Sequence, residues 1–266
     1  CLADSGHTVW GVDVNADKVA SINSGAAPIV EPEISDFIAK AQKQGLLKAT
    51  VSSAEGILNT DVSFICVGTP SQANGSLDLT HLKRVCEDIG AALQNKKTPH
   101  TIVFRSTTLP GTTEDVAIPI LEKHSGKTIG NGLYVCYNPE FLREGTSVKD
   151  YYHPPKIVIG ERNAGEGDAV EEISAGIEAP TIRTSIKAAE MAKYSDNAFH
   201  ALKVTFANEI GNICKRLGID SHAVMDIFCQ DTKLNLSKVY LKPGFAFGGS
   251  CLPKDLRALS YQAKRT

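Results

Sequence analysis

No apolar run in this sequence comes near the roughly 20 residues that a membrane-spanning helix needs, and no signal peptide is visible. An excess of charge of one sign is missing too. Lys and Arg number 28 against 30 Asp and Glu, a net charge of −2. That balance argues against nucleic acid or a membrane as partner. Internal repeats and low-complexity tracts are absent. The seven cysteines are odd in number, and no pair has metal-ligand or redox spacing. Free thiols in a reducing compartment follow, so the expectation is a cytoplasmic protein without a bound metal. Methionine is missing from the first position, where Cys1 stands. That points to an N-terminus lying upstream.

What is present is ordinary for a globular protein: 42% hydrophobic and 22% charged residues. A chain of 266 residues holds one large domain or two modest ones. Up to residue 184, β-rich runs alternate with helical patterns. "HTVWGVDV" (7–14) reads as a strand, and "NADKVASINSG" after it as a helix with an Asn N-cap and a Gly stop. "DVSFICVG" (61–68) and "TIVFRS" (101–106) are nearly continuous apolar runs. Such runs suit strands buried on both faces of a parallel sheet. Residues 133–137, 156–160 and 180–184 predict further strands, with helices between, as over 79–95 and 166–178. This alternation predicts a doubly wound, Rossmann-like α/β domain over 1–184.

From Ser185 to Leu217 there is no proline, and Gly211 is the only glycine. The pattern predicts one long helix, ended by Gly218, with Asp220 capping a second helix to about Gln230. Residues 185–266 therefore read as an all-helical domain. Its last helix is expected to open at Pro253.

Asp13 closes the first strand. In a dinucleotide-binding fold an acidic residue there accepts hydrogen bonds from the adenosine ribose, and it disfavours a 2′-phosphate. NAD rather than NADP is the expected cofactor. The glycine-rich phosphate loop normally precedes such a residue by about 20 positions, so it is expected to lie upstream of Cys1. "VGTP" (67–70) and "STTLPGT" (106–112) follow two other strands. Ligands of open α/β sheets bind outside the carboxyl ends of strands. Gly68 allows close approach there, and the hydroxyls of Thr69 and Thr107 can donate to phosphate or carboxamide. Ordinary turns are the competing reading of each loop alone.

Asn197, His200 and Asn208 fall within about 60° of Lys193 on a helical wheel. Ala, Met, Val and Phe crowd the neighbouring positions. A polar line in that setting reads as the wall of a cleft rather than a solvated face. A lysine there can stabilise a developing alkoxide, and Asn can orient it. In "NPEFLREG" (138–145), Glu140 and Glu144 are candidates for general base and orienting group, against the plain reading of Asn-Pro as a surface turn. "GFAFGGSCLPKD" (244–255) places Cys251 before a helix start. A thiol at a helix N-terminus near Lys254 has its thiolate stabilised, and the glycines leave room for substrate. Lys254 and Asp255 can meet bound groups or Lys193. The other six cysteines read as buried structural thiols.

Taken together, "VSFICVGTPS", "RSTTLPGT", "NPEFLREG", "AEMAKYSDNAF", "FANEIGN" and "PGFAFGGSCLPKD" resemble the nucleotide-sugar 6-dehydrogenases over essentially the whole chain. The loop "QDTKLNLSKVYLKPGFAF" (230–247) resembles the GDP-mannose branch rather than the UDP-glucose branch. The resemblance implies a four-electron, NAD-dependent oxidation of a sugar C6 hydroxyl to a carboxylate, through a thiohemiacetal and a thioester on Cys251. It implies Lys193, Asn197 and Asp255 around the reacting oxygen, Glu140 handling protons and water, and Thr107 in the active-site loop. Asp13, Lys18, Thr69 and Thr107 are implied to touch NAD. Glu144, Lys193, Asn197, His200, Asn208, Tyr240, Lys242 and Lys254 are implied to touch the nucleotide sugar. A homodimer built around the long helix is implied as well.

The sequence departs from that pattern in places. The glycine-rich loop and the family's C-terminal nucleotide-sugar-binding domain are both missing from it. Lys242 stands where members often carry Arg, and Val239 where the GDP-mannose branch carries an aromatic. Arg's planar fork is lost at 242. Three alternatives stay open: a UDP-sugar dehydrogenase, a two-electron hydroxyacid dehydrogenase, which needs no thiol, and an inactive dimerisation or binding module.

Overall fold

The computed structural model describes residues 1–233, 235, 237, 241 and 244–263. It divides into two units, Cys1–Thr69 with Leu79–Met191, and Pro70–Asp78 with Ala192–Thr266.

In the first unit, β1 (Val9–Val12) leads into α1 (Ala16–Asn23), whose N-cap Asn15 accepts from the backbone of Asp17 and Lys18. Then come α2 (Ile34–Lys43), β2 (Leu47–Thr50) and α3 (Ser53–Leu58). β1 and β2 pair in parallel. β2 and the helices beside it are absent from the sequence reading, because "LKAT" offers no apolar run.

A five-stranded sheet follows, in the order β3 (Val62–Ile65), β4 (His100–Phe104), β5 (Leu133–Tyr137), β6 (Ile157–Gly160) and β7 (Thr181–Thr184). The continuous apolar runs are explained by two cores, one on each face. Ile102, Phe104, Leu133, Val135, Tyr137 and Val158 enter one core, while Val103, Cys136, Ile157 and Ile159 enter the other. Helix α4 (Thr80–Leu93) supplies Leu82, Ile89 and Leu93 to the first core, each contributing on the order of 2 kcal/mol by burial. A π-helical turn, Thr112–Ala117, runs straight into α5 (Ile118–Ser125), which adds Ile118 and Leu121. After α6 (Ser147–Tyr152), the short helix α7 (Asp168–Ile173) covers the second core through Val170.

One pairing differs from the all-parallel expectation: β5 and β6 are antiparallel, while β6 and β7 are parallel again. A strand buried on both faces reads the same in either direction, so its pattern carries no polarity.

Helix α8 (Ile186–Leu217) is unbroken, and Gly218 closes it in the left-handed conformation at φ 67°. Its first residues, Ile186 and Ala189, belong to the first core. From Ala192 onward it belongs to the second unit. There α9 (Ser221–Phe228) starts at the N-cap Asp220, whose carboxylate accepts from the amides of His222 and Ala223. Ala207, Met225, Cys229 and Leu241 form this unit's core. The last helix, α10 (Cys251–Ala263), begins two residues before Pro253, so the expected start moves to Cys251 itself.

Candidate active site

The strand ends of the first unit build one cluster. Asp13 follows β1; its Oδ1 accepts from the Asn15 amide at 2.9 Å, and its Oδ2 lies 3.5 Å from Lys18 Nζ. Asp13 and Lys18 are thus brought together. The hydroxyl of Thr69, after β3, donates to the Thr107 carbonyl after β4 at 2.7 Å. The Thr69 proton is committed to that bond, which leaves the oxygen's lone pairs for a ligand. A Cβ built on Gly68 would meet nothing within 4 Å, so the backbone there is open. An acceptor-only carboxylate at one strand end, with open glycine backbone and hydroxyls at two others, fits the ribose and amide chemistry of NAD.

The loop after β5 carries the two glutamates. Asn138 anchors its start, donating to the Val158 carbonyl at 2.8 Å and accepting from Arg105 at 3.0 Å. Arg143 grips Asp150 through Nε at 3.0 Å and Nη2 at 2.7 Å. The Arg143 guanidinium beside it holds the Asp150 carboxyl down at about 2. Glu31 reaches in from the segment before α2 and accepts from the amides of Gly145 and Ser147. Within this frame Glu140 is half-buried and accepts from the Leu142 amide at 2.7 Å. Glu144 is exposed.

In the second unit, Lys193, Asn197, His200 and Asn208 all lie on α8. Lys193 and Asn197 are buried, and His200 and Asn208 are half-buried. The Asn197 amide donates to Asp255, whose other carboxylate oxygen takes the Lys254 ammonium. Asp255 is 1% exposed, so it is buried with both partners satisfied. Cys251 stands one turn earlier, exposed, with its Sγ 3.7 Å from Ser250 Oγ. Asn208 works on the glycine loop: it accepts from the Gly244 amide at 2.7 Å and donates to the Phe245 carbonyl at 3.1 Å. A cavity of about 670 Å³ opens beside it, lined by Asn212, Lys215, Asp220 and Phe247 among others. Lys193, Asn197, Cys251 and Asp255 do not line that cavity. Tyr240, Lys242 and Val239 lie outside the described residues.

Several site-building residues escape the sequence reading. The excursion 70–78 turns back through a Ser71–Leu77 bridge, and the Ser71 hydroxyl donates to the Lys254 carbonyl at 3.4 Å. Its Gln-Ala-Asn-Gly turn was the available signal. Arg143 and Asp150 sit seven apart with nothing local to mark them as a pair. The cysteine reading needs one correction. Cys86, Cys136, Cys214 and Cys229 are buried, but Cys66 is exposed and Cys1 half-buried. Burial pushes the thiols of Cys86 and Cys136 up to about 12, which keeps them inert. Among the described residues no group of His, Cys, Asp or Glu could hold a metal, and no helix is long and apolar enough to cross a membrane.

Known proteins resemble the chain over its whole length. Residues 1–178 match the NAD binding domain of the UDP-glucose/GDP-mannose dehydrogenase family, and residues 187–266 match its central domain. GDP-mannose 6-dehydrogenase of Pseudomonas aeruginosa is 53% identical over 265 residues, covering 100% of this chain and 61% of that protein. A UDP-glucose 6-dehydrogenase of Haloferax volcanii is 40% identical over 269 residues, 99% of this chain and 62% of that protein. The solved UDP-glucose dehydrogenase of Pyrobaculum islandicum superposes with a TM-score of 0.94 at 35% identity, over 99% of this chain and 60% of that one. The chain thus spans about three-fifths of the length of the relatives it matches. From the strand-end cluster of its NAD-binding domain to the buried Asn197–Asp255 pair of its central domain, the chain belongs to the UDP-glucose/GDP-mannose dehydrogenase family.

Proposed function

We propose that the complete protein is a cytoplasmic, NAD-dependent nucleotide-sugar 6-dehydrogenase that converts GDP-mannose to GDP-mannuronate. One observation carries the reading. Asp255 is buried, with one carboxylate oxygen on buried Asn197 and the other on half-buried Lys254, at the start of the helix whose first residue is the exposed Cys251. A two-electron hydroxyacid dehydrogenase has no use for that thiol.

Residue roles follow from the chemistry. Lys193 and Asn197 stabilise negative charge developing on the C6 oxygen as the alcohol loses a proton and a hydride to become an aldehyde. The Cys251 thiolate adds to the aldehyde carbon, giving a thiohemiacetal. Loss of a second hydride from C6, with loss of the hydroxyl proton, leaves a thioester. Water, deprotonated by Glu140, attacks the acyl carbon; the C–S bond breaks, and the carboxylate leaves. Asp255 holds Asn197 and Lys254 in place. NAD, when bound, supplies the hydride acceptor once for each two-electron oxidation. Asp13 and Lys18 hold its adenosine end, and Thr69 and Thr107 the other strand ends. Glu144, His200, Asn208, Tyr240, Lys242 and Lys254 contact the nucleotide sugar. The NAD-binding part ends and the helical part begins at residues 184 and 185.

The GDP-mannose assignment rests on 53% identity to a GDP-mannose 6-dehydrogenase against 40% to a UDP-glucose 6-dehydrogenase. A homodimer through α8 suits that helix's exposed Phe199, Leu202, Phe206 and Ile213. The deciding experiment assays the full-length protein with GDP-mannose and UDP-glucose side by side. Two NADH per GDP-mannose and a higher kcat/KM for it are expected. A higher value for UDP-glucose moves the protein to the neighbouring branch and leaves the mechanism standing.

A further inference from the structure

We propose that Glu190 is a positioning residue that holds the loop carrying Thr107 in its cofactor-binding form, an inference that rests on the NAD-dependent reading above.

Glu190 lies on the first turns of α8 and is 0% exposed. A buried carboxylate is costly unless its lone pairs are filled. Here four donors fill them. Oε2 accepts from the Gly111 amide at 2.6 Å. Oε1 accepts from the Thr113 amide at 2.9 Å, the Thr113 hydroxyl at 2.7 Å and the Thr108 hydroxyl at 3.3 Å. Burial pushes the Glu190 carboxyl's pKa up, and the bonds from Thr113, Gly111 and Thr108 oppose that shift. Each carboxylate oxygen faces a backbone N–H, so a Gln amide would set its own N–H against one of them.

Those donors belong to one short stretch. The π-helical turn Thr112–Ala117 has Gly111 as N-cap, with no side chain to cap the turn's free amides. Glu190 caps it from another helix. Gly111 sits at φ 92°, which aims its amide at the carboxylate and is a conformation that side-chain-bearing residues rarely adopt.

The other end of the loop is pinned separately. The Ser106 hydroxyl donates to the Val67 carbonyl at 2.7 Å, and the Tyr137 hydroxyl donates to the Ser106 carbonyl at 3.1 Å. Thr107 is therefore held between two anchors, Ser106 on one side and Thr108 with Glu190 on the other. Its carbonyl receives the Thr69 hydroxyl from the neighbouring strand end. Release of the Glu190 anchor frees Thr107 and Thr69 together. Helical spacing on α8 alone marks Glu190 as one more polar residue; its purpose lies 77 positions away in the sequence.

The test uses the full-length protein and two readouts, NADH binding by fluorescence titration and steady-state KM values. Glu190→Gln is expected to raise the Kd for NADH and the KM for NAD about tenfold, with the KM for the nucleotide sugar within twofold of wild type. A variant that only melts at lower temperature, with NADH affinity and both KM values unchanged, makes Glu190 a structural cap and overturns the proposal. Should Glu190→Gln fail to fold, Thr113→Val removes a single hydroxyl donor and keeps the backbone bonds. A roughly threefold loss of NADH affinity supports positioning, and unchanged affinity overturns it. Failure of the wild-type protein itself to bind NADH overturns both this inference and the functional reading beneath it.

Discussion

The Asn197 side-chain amide donates to the Asp255 carboxylate across 58 residues of sequence, tying the long helix to the start of the last one. Asp255 also takes the Lys254 ammonium, so one buried carboxylate orders two polar side chains. Asp255→Ala strands both, and losing one partner of a buried pair costs about 3 kcal/mol. Thermal melts of the full-length protein are expected to drop by several degrees. Asp255→Asn keeps the volume but sets an N–H against one of the two donors, and is expected to lose stability to a smaller extent than Asp255→Ala while also losing turnover. Equal melting temperatures for Asp255→Ala and wild type would contradict the burial argument.

Cys251 is exposed at the head of α10, where a thiol can reach a reacting carbon. In the full-length protein, Cys251→Ser is expected to retain fold and NADH binding while net acid formation falls at least a thousandfold. The check is product analysis after long incubation with GDP-mannose. Acid accumulating at the wild-type rate would remove Cys251 from the chemistry.

His100 is 1% exposed, with Nε2 2.8 Å from the Ser63 hydroxyl. Burial, and then the Lys96 charge, lower its pKa to about 4. An unfolded His titrates near 6.5. Between these values the unfolded chain takes a proton that the folded one refuses, so stability falls as pH falls. The contribution is intact above pH 6.5 and lost progressively down to pH 4, by about 3 kcal/mol in all. Urea unfolding midpoints measured across pH 4–7 are expected to show this slope, and His100→Asn to flatten it. A variant with the wild-type slope would assign the effect to other groups.

Gly160 ends β6 where the first turn of α8 crosses it. A Cβ there would lie 2.7 Å from Ala189 Cβ and 2.9 Å from Ile186 Cα. Backbone at that distance cannot step aside, so Gly160→Ala is expected to cost about 2 kcal/mol by overpacking. Chemical denaturation reads this directly; a neutral substitution would mean that the helix start shifts freely.

Much of this architecture is written locally. Asn15 and Asp220 announce their helices because a short oxygen-bearing side chain satisfies amides two or three residues on. The apolar runs 101–104 and 133–137 announce buried strands because alternate residues feed two cores. The spacing of Lys193 and Asn197 places them on one helix face, since 3.6 residues make a turn. Each of these signals is decided within one or two turns of backbone.

Other features depend on chain segments that meet only after folding. The antiparallel direction of β6 leaves no trace in its composition, because its two buried faces look alike from either end. The Arg143–Asp150 fork, the Ser71–Lys254 contact and the Asn208 clamp on Gly244 join residues with no shared period. Glu190 is the clearest case. By itself the sequence determined that a glutamate would lie on the first turns of a long helix. Only the tertiary structure decided that it would be buried against Thr108, Gly111 and Thr113, because a carboxylate's cost in a core is met by donors, and which donors arrive is settled by packing alone.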